Sequence, residues 1–102
     1  MIITYDNKIK KKLENEHSIK KYYGKQSTRI ITLISMLQVV TCLDDIPNVP
    51  PTRRHKLVSN YKNCWGIDVD KNWRMILVPV SNLNEDPKDV KEVIISDIVD
   101  YH

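Results

Sequence analysis

Five side chains in the C-terminal half of the sequence could move protons or hold an anion: His55, Arg74, Asp100, Tyr101 and His102. An imidazole titrates near neutral pH and can serve as base or acid. A guanidinium can stabilise charge that develops on phosphoryl oxygens. The stretch from Val93 to His102 opens as a β-branched apolar run and closes on a carboxylate, a phenol and an imidazole. If the strand persists, alternation puts Asp100 and His102 on one side and Tyr101 on the other. On a single-sheet reading, Arg74 shares the side of Asp100 and His102. A basic face with an arginine, two histidines and an aspartate suits a phosphodiester. Plainer accounts stand beside this one. His55 follows a proline-rich loop and is equally read as a solvent-exposed side chain. A mid-strand Arg74 also fits the open side of a sheet, and Asp100 to His102 also fits a soluble tail.

These residues need a scaffold, and the patterning supplies one. Ile2 to Tyr5 are four β-favouring residues that predict a short edge strand. Asp6 and Asn7 are turn and N-cap candidates. Ile9, Leu13, Ile19 and Tyr23 then share one helical face, with Lys20 intruding, which predicts a bend or restart near Ser18. Gly24 fits the residue after a helix C-terminus. Ile30, Leu33, Ile34, Leu37 and Val40 follow helical spacing, and Ile31, Met36 and Val39 widen the stripe. The short link at Gly24 to Gln26 predicts an antiparallel helical hairpin. Leu43 to Thr52 contains Pro47, Pro50 and Pro51, which excludes helix and predicts a loop.

The β half begins at His55 to Val58. Cys64 to Val69 alternates, with Trp65, Ile67 and Val69 on one face. Asp70, Lys71 and Asn72 form a turn. Trp73 to Val80 returns with Trp73, Met75 and Leu77 on one face and Arg74, Ile76 and Val78 on the other. Ser81 to Asp89 is a polar loop, and Val93 to Val99 is the final strand. The expectation is an α+β fold in which an N-terminal strand and a helical hairpin pack on a mostly antiparallel sheet. Residues 1–102 suit one domain.

Composition narrows the function classes. Two glycines, Gly24 and Gly66, make no phosphate-binding loop, and no nucleophile elbow or paired metal ligands appear. Neither metal nor cofactor is expected. Cys42 and Cys64 read as two reduced thiols. No apolar run reaches the length of a membrane span, and Met1 to Lys12 lacks the order of a signal peptide, so no membrane role and a cytoplasmic location are expected. The net charge of +3 is mild, but its distribution is uneven. Lys8 to Lys25 carries seven lysines against Glu14 and Glu16, and Arg53 to Arg74 carries six basic residues against Asp68 and Asp70. Both segments favour an anionic partner.

The residues from His55 onward carry a resemblance. His55 and Leu57, Lys62 and Asn63, Trp65-Gly66-Ile67, Trp73-Arg74-Met75 and the closing IVDYH resemble the core of the RelE/ParE superfamily of bacterial toxins, in its HigB-like host-inhibition branch. The match covers about half the chain. The resemblance implies a toxin of a type II toxin-antitoxin system, with the RelE-like fold. Its activity would be metal-independent, ribosome-dependent endoribonucleolytic cleavage of messenger RNA, in which a 2′-hydroxyl attacks the adjacent phosphate. By motif position, His55, Asp100, Tyr101 and His102 would be the acid, base and positioning set and Arg74 the charge stabiliser. Arg53, Arg54, Lys56, Lys62 and Lys71 would contact RNA or the ribosome. The partner would be a HigA-like helix-turn-helix antitoxin, through which alone the chain would meet operator DNA.

The sequence departs from that pattern in three places. Ser59-Asn60-Tyr61-Lys62 replaces a Gly-Asp/Glu-Arg/Lys turn, Val58 stands where a lysine is common, and Gly66 where a serine or alanine is. Two other readings stay open: a ParE-like inhibitor that is not a nuclease, and a non-toxic interaction module on the same fold.

Overall fold

The computed structural model describes residues 1–80 and 86–100. Strand β1 (Ile2–Tyr5) leads into helices α1 (Asn7–Leu13), α2 (Glu16–Tyr23) and α3 (Ser27–Val39). Strands β2 (His55–Lys56), β3 (Trp65–Asp68), β4 (Trp73–Pro79) and β5 (Glu92–Asp100) follow. They form a five-stranded sheet in the order β1-β5-β4-β3-β2. Only the β1–β5 pair is parallel, so the sheet is mostly antiparallel with β1 at one edge.

The expected first helix is two helices, and the break falls earlier than the Lys20 intrusion suggests. Asn15 adopts an extended backbone with φ −158°, and its side chain accepts from the Ser18 N–H. That satisfies one of the orphan donors at the start of α2, so the chain restarts there. Asp6 does the same for α1 through the Lys8 N–H. Gly24 ends α2 at φ +53°, and the 3-10 turn Gly24–Gln26 passes the chain to α3. The stretch expected to be pure loop contains one 3-10 turn, Leu43–Asp45, placed before the first proline. Asp45 accepts from the Thr41 and Cys42 N–H groups, and Leu43 and Ile46 are fully buried, so this segment is pinned.

The helices cover one face of the sheet. Ile9, Leu13, Ile19, Ile30, Leu33 and Leu37 meet Trp65, Ile67, Met75, Leu77, Val93, Ile95 and Ile98 in one core. Each of these side chains contributes about 1.5–3 kcal/mol on burial. The alternation expected for β3 and β4 holds, with Trp65, Ile67, Met75 and Leu77 facing the helices.

In β5 the alternation is interrupted. Ile76 pairs with Asp97, but Leu77 pairs with Ile95, so Ser96 is one residue too many. This bulge keeps both Ile95 and Ile98 under the helices although they are three residues apart. Without it, Asp97 would face the core opposite Met75, and Ile98 would be turned out.

Candidate functional site

The face away from the helices receives the residues that alternate with the core. His55 pairs with Gly66, Gly66 with Ile76, and Asp68 with Arg74. Directly paired residues share a face, so His55, Asp68 and Arg74 stand together there, on three neighbouring strands. Two strand spacings and a two-residue offset put the Cα atoms of His55 and Arg74 about 12 Å apart. That span lets an imidazole and a guanidinium converge on one phosphodiester. Gly66 makes room on this face: a Cβ there would lie 3.0 Å from Leu57 Cδ2. Leu57 instead lies over the bare backbone and is 5% exposed. The departure from the family pattern at Gly66 is thereby matched by the packing of Leu57.

The His55 ring is oriented by the backbone. Its Nδ1 lies 2.5 Å from the Arg53 carbonyl oxygen. A carbonyl can only accept, so Nδ1 carries the proton and, in the neutral ring, Nε2 carries the lone pair. Nε2 is buried and has no hydrogen-bond partner among the described residues. A buried acceptor left unpaired costs about 1–3 kcal/mol, which marks it as a group whose partner comes from elsewhere.

Asp68 joins two guanidiniums. Arg53 Nε donates to Asp68 Oδ2 at 2.7 Å, and Arg74 Nε lies 3.4 Å from Oδ1. The Asp68 and Arg74 side chains are 14% and 16% exposed, so this pair is shielded from solvent. The backbone is tied as well: the Asp68 N–H donates to the Thr52 carbonyl at 2.8 Å. Thr52 is buried, and its hydroxyl accepts from Arg29 Nη2 of α3. Asp68, Thr52 and Arg29 were not singled out from the sequence, where Asp68 registers only as an acid offsetting nearby basic charge.

The other expected residues distribute differently. Asp100 pairs with Trp73 while Arg74 pairs with Val99, so Asp100 and Arg74 occupy opposite faces. This corrects the expectation that they share a side, and the surplus Ser96 is the cause. Tyr101 and His102 lie outside the described residues. Arg54 turns inward and is 8% exposed. Its Nε donates to the Ile46 carbonyl, its Nη2 pairs with Asp44, and its guanidinium lies 5.3 Å from the Trp65 ring. Lys56 shares the helix-side face with Trp65, and its Nζ lies 5.2 Å from that ring. Lys62 and Lys71 are exposed, in the turns that precede β3 and β4.

Burial pushes the Cys64 thiol up, with the Lys56 charge opposing, so Cys64 stays protonated at neutral pH. Both cysteines are unbridged. No group of three metal-ligating side chains occurs among the described residues. No helix is long and apolar enough to cross a membrane, among the residues described. A cleft of about 220 Å³ lies elsewhere, lined by Tyr5, Leu13 and Ile19 and by Ile31, Ile34 and Gln38 of α3.

No protein-family profile and no curated relative matches the sequence. Solved structures do match. YafQ from Escherichia coli superposes with a TM-score of 0.61 at 14% identity, over 96% of this chain and 90% of that one. A YoeB/ParE toxin from Agrobacterium tumefaciens gives 0.60 at 8% identity, with both chains fully covered. The Staphylococcus aureus YoeB-YefM complex gives 0.59 at 14% identity, over 100% of this chain and 97% of that one. At such identities the likeness is one of architecture, and it agrees with the sheet order and the helical cover described above. The chain has the fold of the YafQ and YoeB/ParE toxins, a RelE-like α+β fold.

Proposed function

We propose that this protein is the toxin of a type II toxin-antitoxin system, a HigB-like, metal-independent endoribonuclease that cuts messenger RNA on the ribosome and so inhibits translation in the cytoplasm. The observation that carries the reading is the placement of His55 and Arg74 on one sheet face, with the His55 proton held on Nδ1. In the proposed reaction, His55 Nε2 takes the proton of the 2′-hydroxyl. The O2′–P bond forms as the P–O5′ bond breaks, leaving a cyclic phosphate and a free 5′-hydroxyl. The leaving oxygen takes its proton from Tyr101 or His102, and Asp100, on the face opposite Arg74, takes no direct part. Arg74 neutralises charge on the phosphoryl oxygens. Because Nε2 is buried, RNA must part the groups around it to supply the missing hydrogen-bond donor.

Arg53, Lys62 and Lys71, together with the lysines of α1 and α2, supply phosphate contacts that give affinity rather than sequence choice. Arg54 and Lys56, engaged at Trp65, serve this surface indirectly by holding its base in place. The partner is an antitoxin of the HigA-like helix-turn-helix kind. Two structural neighbours are complexes, DinJ-YafQ and a YoeB-YefM toxin-antitoxin, which supports a protein partner of that role.

The test is induced expression with mapping of transcript 5′ ends in a translating extract. Wild type is expected to arrest growth and cut transcripts. Arg74→Ala should lower cleavage about 100- to 1,000-fold and His55→Ala about 100- to 10,000-fold. Intact transcripts with the wild-type protein would end this reading. Val58 favours one alternative, because it stands 68% exposed where a phosphate-binding lysine is common. A ParE-like inhibitor would arrest growth with intact transcripts and would tolerate a His55→Ala, His102→Ala double substitution.

A further inference from the structure

We infer that Asp68 is a positioning residue that governs two site groups at once: through Arg53 it fixes the tautomer of His55, and directly it aims the Arg74 guanidinium. The roles of His55 and Arg74 rest on the function proposed above, whereas the coupling itself rests on geometry. One arm is short. Asp68 Oδ1 lies 3.4 Å from Arg74 Nε, across a directly paired position of β3 and β4.

The other arm runs through the backbone. Asp68 Oδ2 takes the Arg53 Nε–H at 2.7 Å, and Oδ1 takes an Nη2–H at 3.5 Å. Arg53 holds a left-handed backbone at φ +47°, a conformation that costs a residue with a Cβ about 1–2 kcal/mol. The bidentate grip on its side chain and the Arg53 N–H bond to the Val49 carbonyl hold it there. In that conformation its carbonyl faces His55 Nδ1. Release of the side chain lets Arg53 leave the strained region, and its carbonyl turns with it. The ring then loses the acceptor that keeps the proton on Nδ1, and Nε2 is no longer the basic nitrogen.

Charge reinforces the arrangement. Two guanidiniums on one carboxylate leave one net positive charge, enough to receive a phosphodiester. Without the carboxylate, two like charges repel and the Arg74 head swings away. A neutral isostere at position 68 keeps the shape and removes both effects, whereas a purely structural side chain would tolerate it.

The experiment is ¹⁵N NMR of the His55 ring and the Arg74 Nε–H in the free protein, in wild type, Asp68→Asn, Asp68→Glu and Arg53→Met. Wild type is expected to hold the Nδ1–H tautomer. Asp68→Asn should move the ring toward the Nε2–H form and shift the Arg74 Nε–H, with Asp68→Glu restoring part of both. Arg53→Met should move the His55 signal and leave the Arg74 pairing, which separates the two arms and replaces Asp68→Asn should that variant not fold. Unchanged His55 and Arg74 signals in a folded Asp68→Asn overturn the inference, and so does an unchanged His55 signal in Arg53→Met.

These signals are read without RNA, so an inactive wild type would end the proposed function and leave the coupling measurable. If transcripts are cut, Asp68→Asn should lower kcat about 100-fold with a much smaller change in KM, as misaligned reacting groups do.

Discussion

Leu57 lies where a Gly66 side chain would be, and that single exchange of space shapes the floor beside His55. Gly66→Ala should therefore cost about 1 kcal/mol as Leu57 is pushed aside. In a Leu57→Ala background the same substitution should cost much less, and urea melts of the four proteins read the coupling. Arg54 shows the opposite economy, a charged side chain used as interior material. Arg54→Ala leaves the Ile46 carbonyl without its donor and uncovers Trp65. The expected loss is about 2–3 kcal/mol of stability by chemical denaturation.

Neighbouring arginines 53 and 54 look alike in the sequence. What separates them is a left-handed backbone at Arg53, which sends one side chain to Asp68 and the other inward. Nothing in the residue types announces that turn. The face of Arg74 was legible because its apolar neighbours in β4 declare the core side, whereas His55, after a proline-rich loop, was singled out by its residue type and the resemblance and not by alternation. Asp68 lies on the same alternation, yet its meaning depends on which strands lie adjacent, and pairing is not written in one strand alone.

At the scale of elements, caps decide where helices begin. The lysine in the apolar stripe of residues 8–23 announced an interruption, but its position was set by Asn15, whose side chain replaces the missing turn. Asn15→Ala should destabilise the fold by about 1 kcal/mol, measured as a lowered thermal midpoint with the β-sheet signal intact below it. The β5 segment held its own clue. Val93 and Ile95 keep a period of two, and Ile98 breaks it. A strand that must bury all three needs one surplus residue. Read as unbroken, it placed Asp100 beside Arg74; read with Ser96 bulged, it separates them.

For the molecule as a whole, the division of labour follows from covering one side of the sheet. Three helices seal one face, and the other keeps His55, Asp68 and Arg74. The α+β architecture and the hairpin were readable from periodicity, since long amphipathic segments leave few alternatives. The parallel pairing of β1 with β5 was not, because it joins opposite ends of the chain. Tyr23 reports on the integrity of this packing. Burial, and then the Asp97 charge, push its phenol up to about 12. The fold therefore favours the protonated phenol. That contribution is complete below the ordinary value of 10.0 and is lost as pH rises toward about 12. Ultraviolet titration should show Tyr23 and Tyr5 ionising late, both phenols being held up by burial. Tyr23→Phe should make stability less sensitive to pH in that alkaline window, as read by melting at stepped pH.

The surplus residue in β5 also has a consequence for descent. Removing the Ser96 codon would leave a regular ladder in which Ile76 still meets Asp97 and Met75 still meets Ile98, so every later residue keeps its face. A strand that kept Ser96 but lost the bulge would instead drive Asp97 beneath the helices and expel Ile98. Selection for a dry interior thus fixes the parity of the strand as far as Ile98. Lineages on this fold can trade one terminal group for another at the site through an insertion or deletion after Ile98, which leaves the buried positions in register.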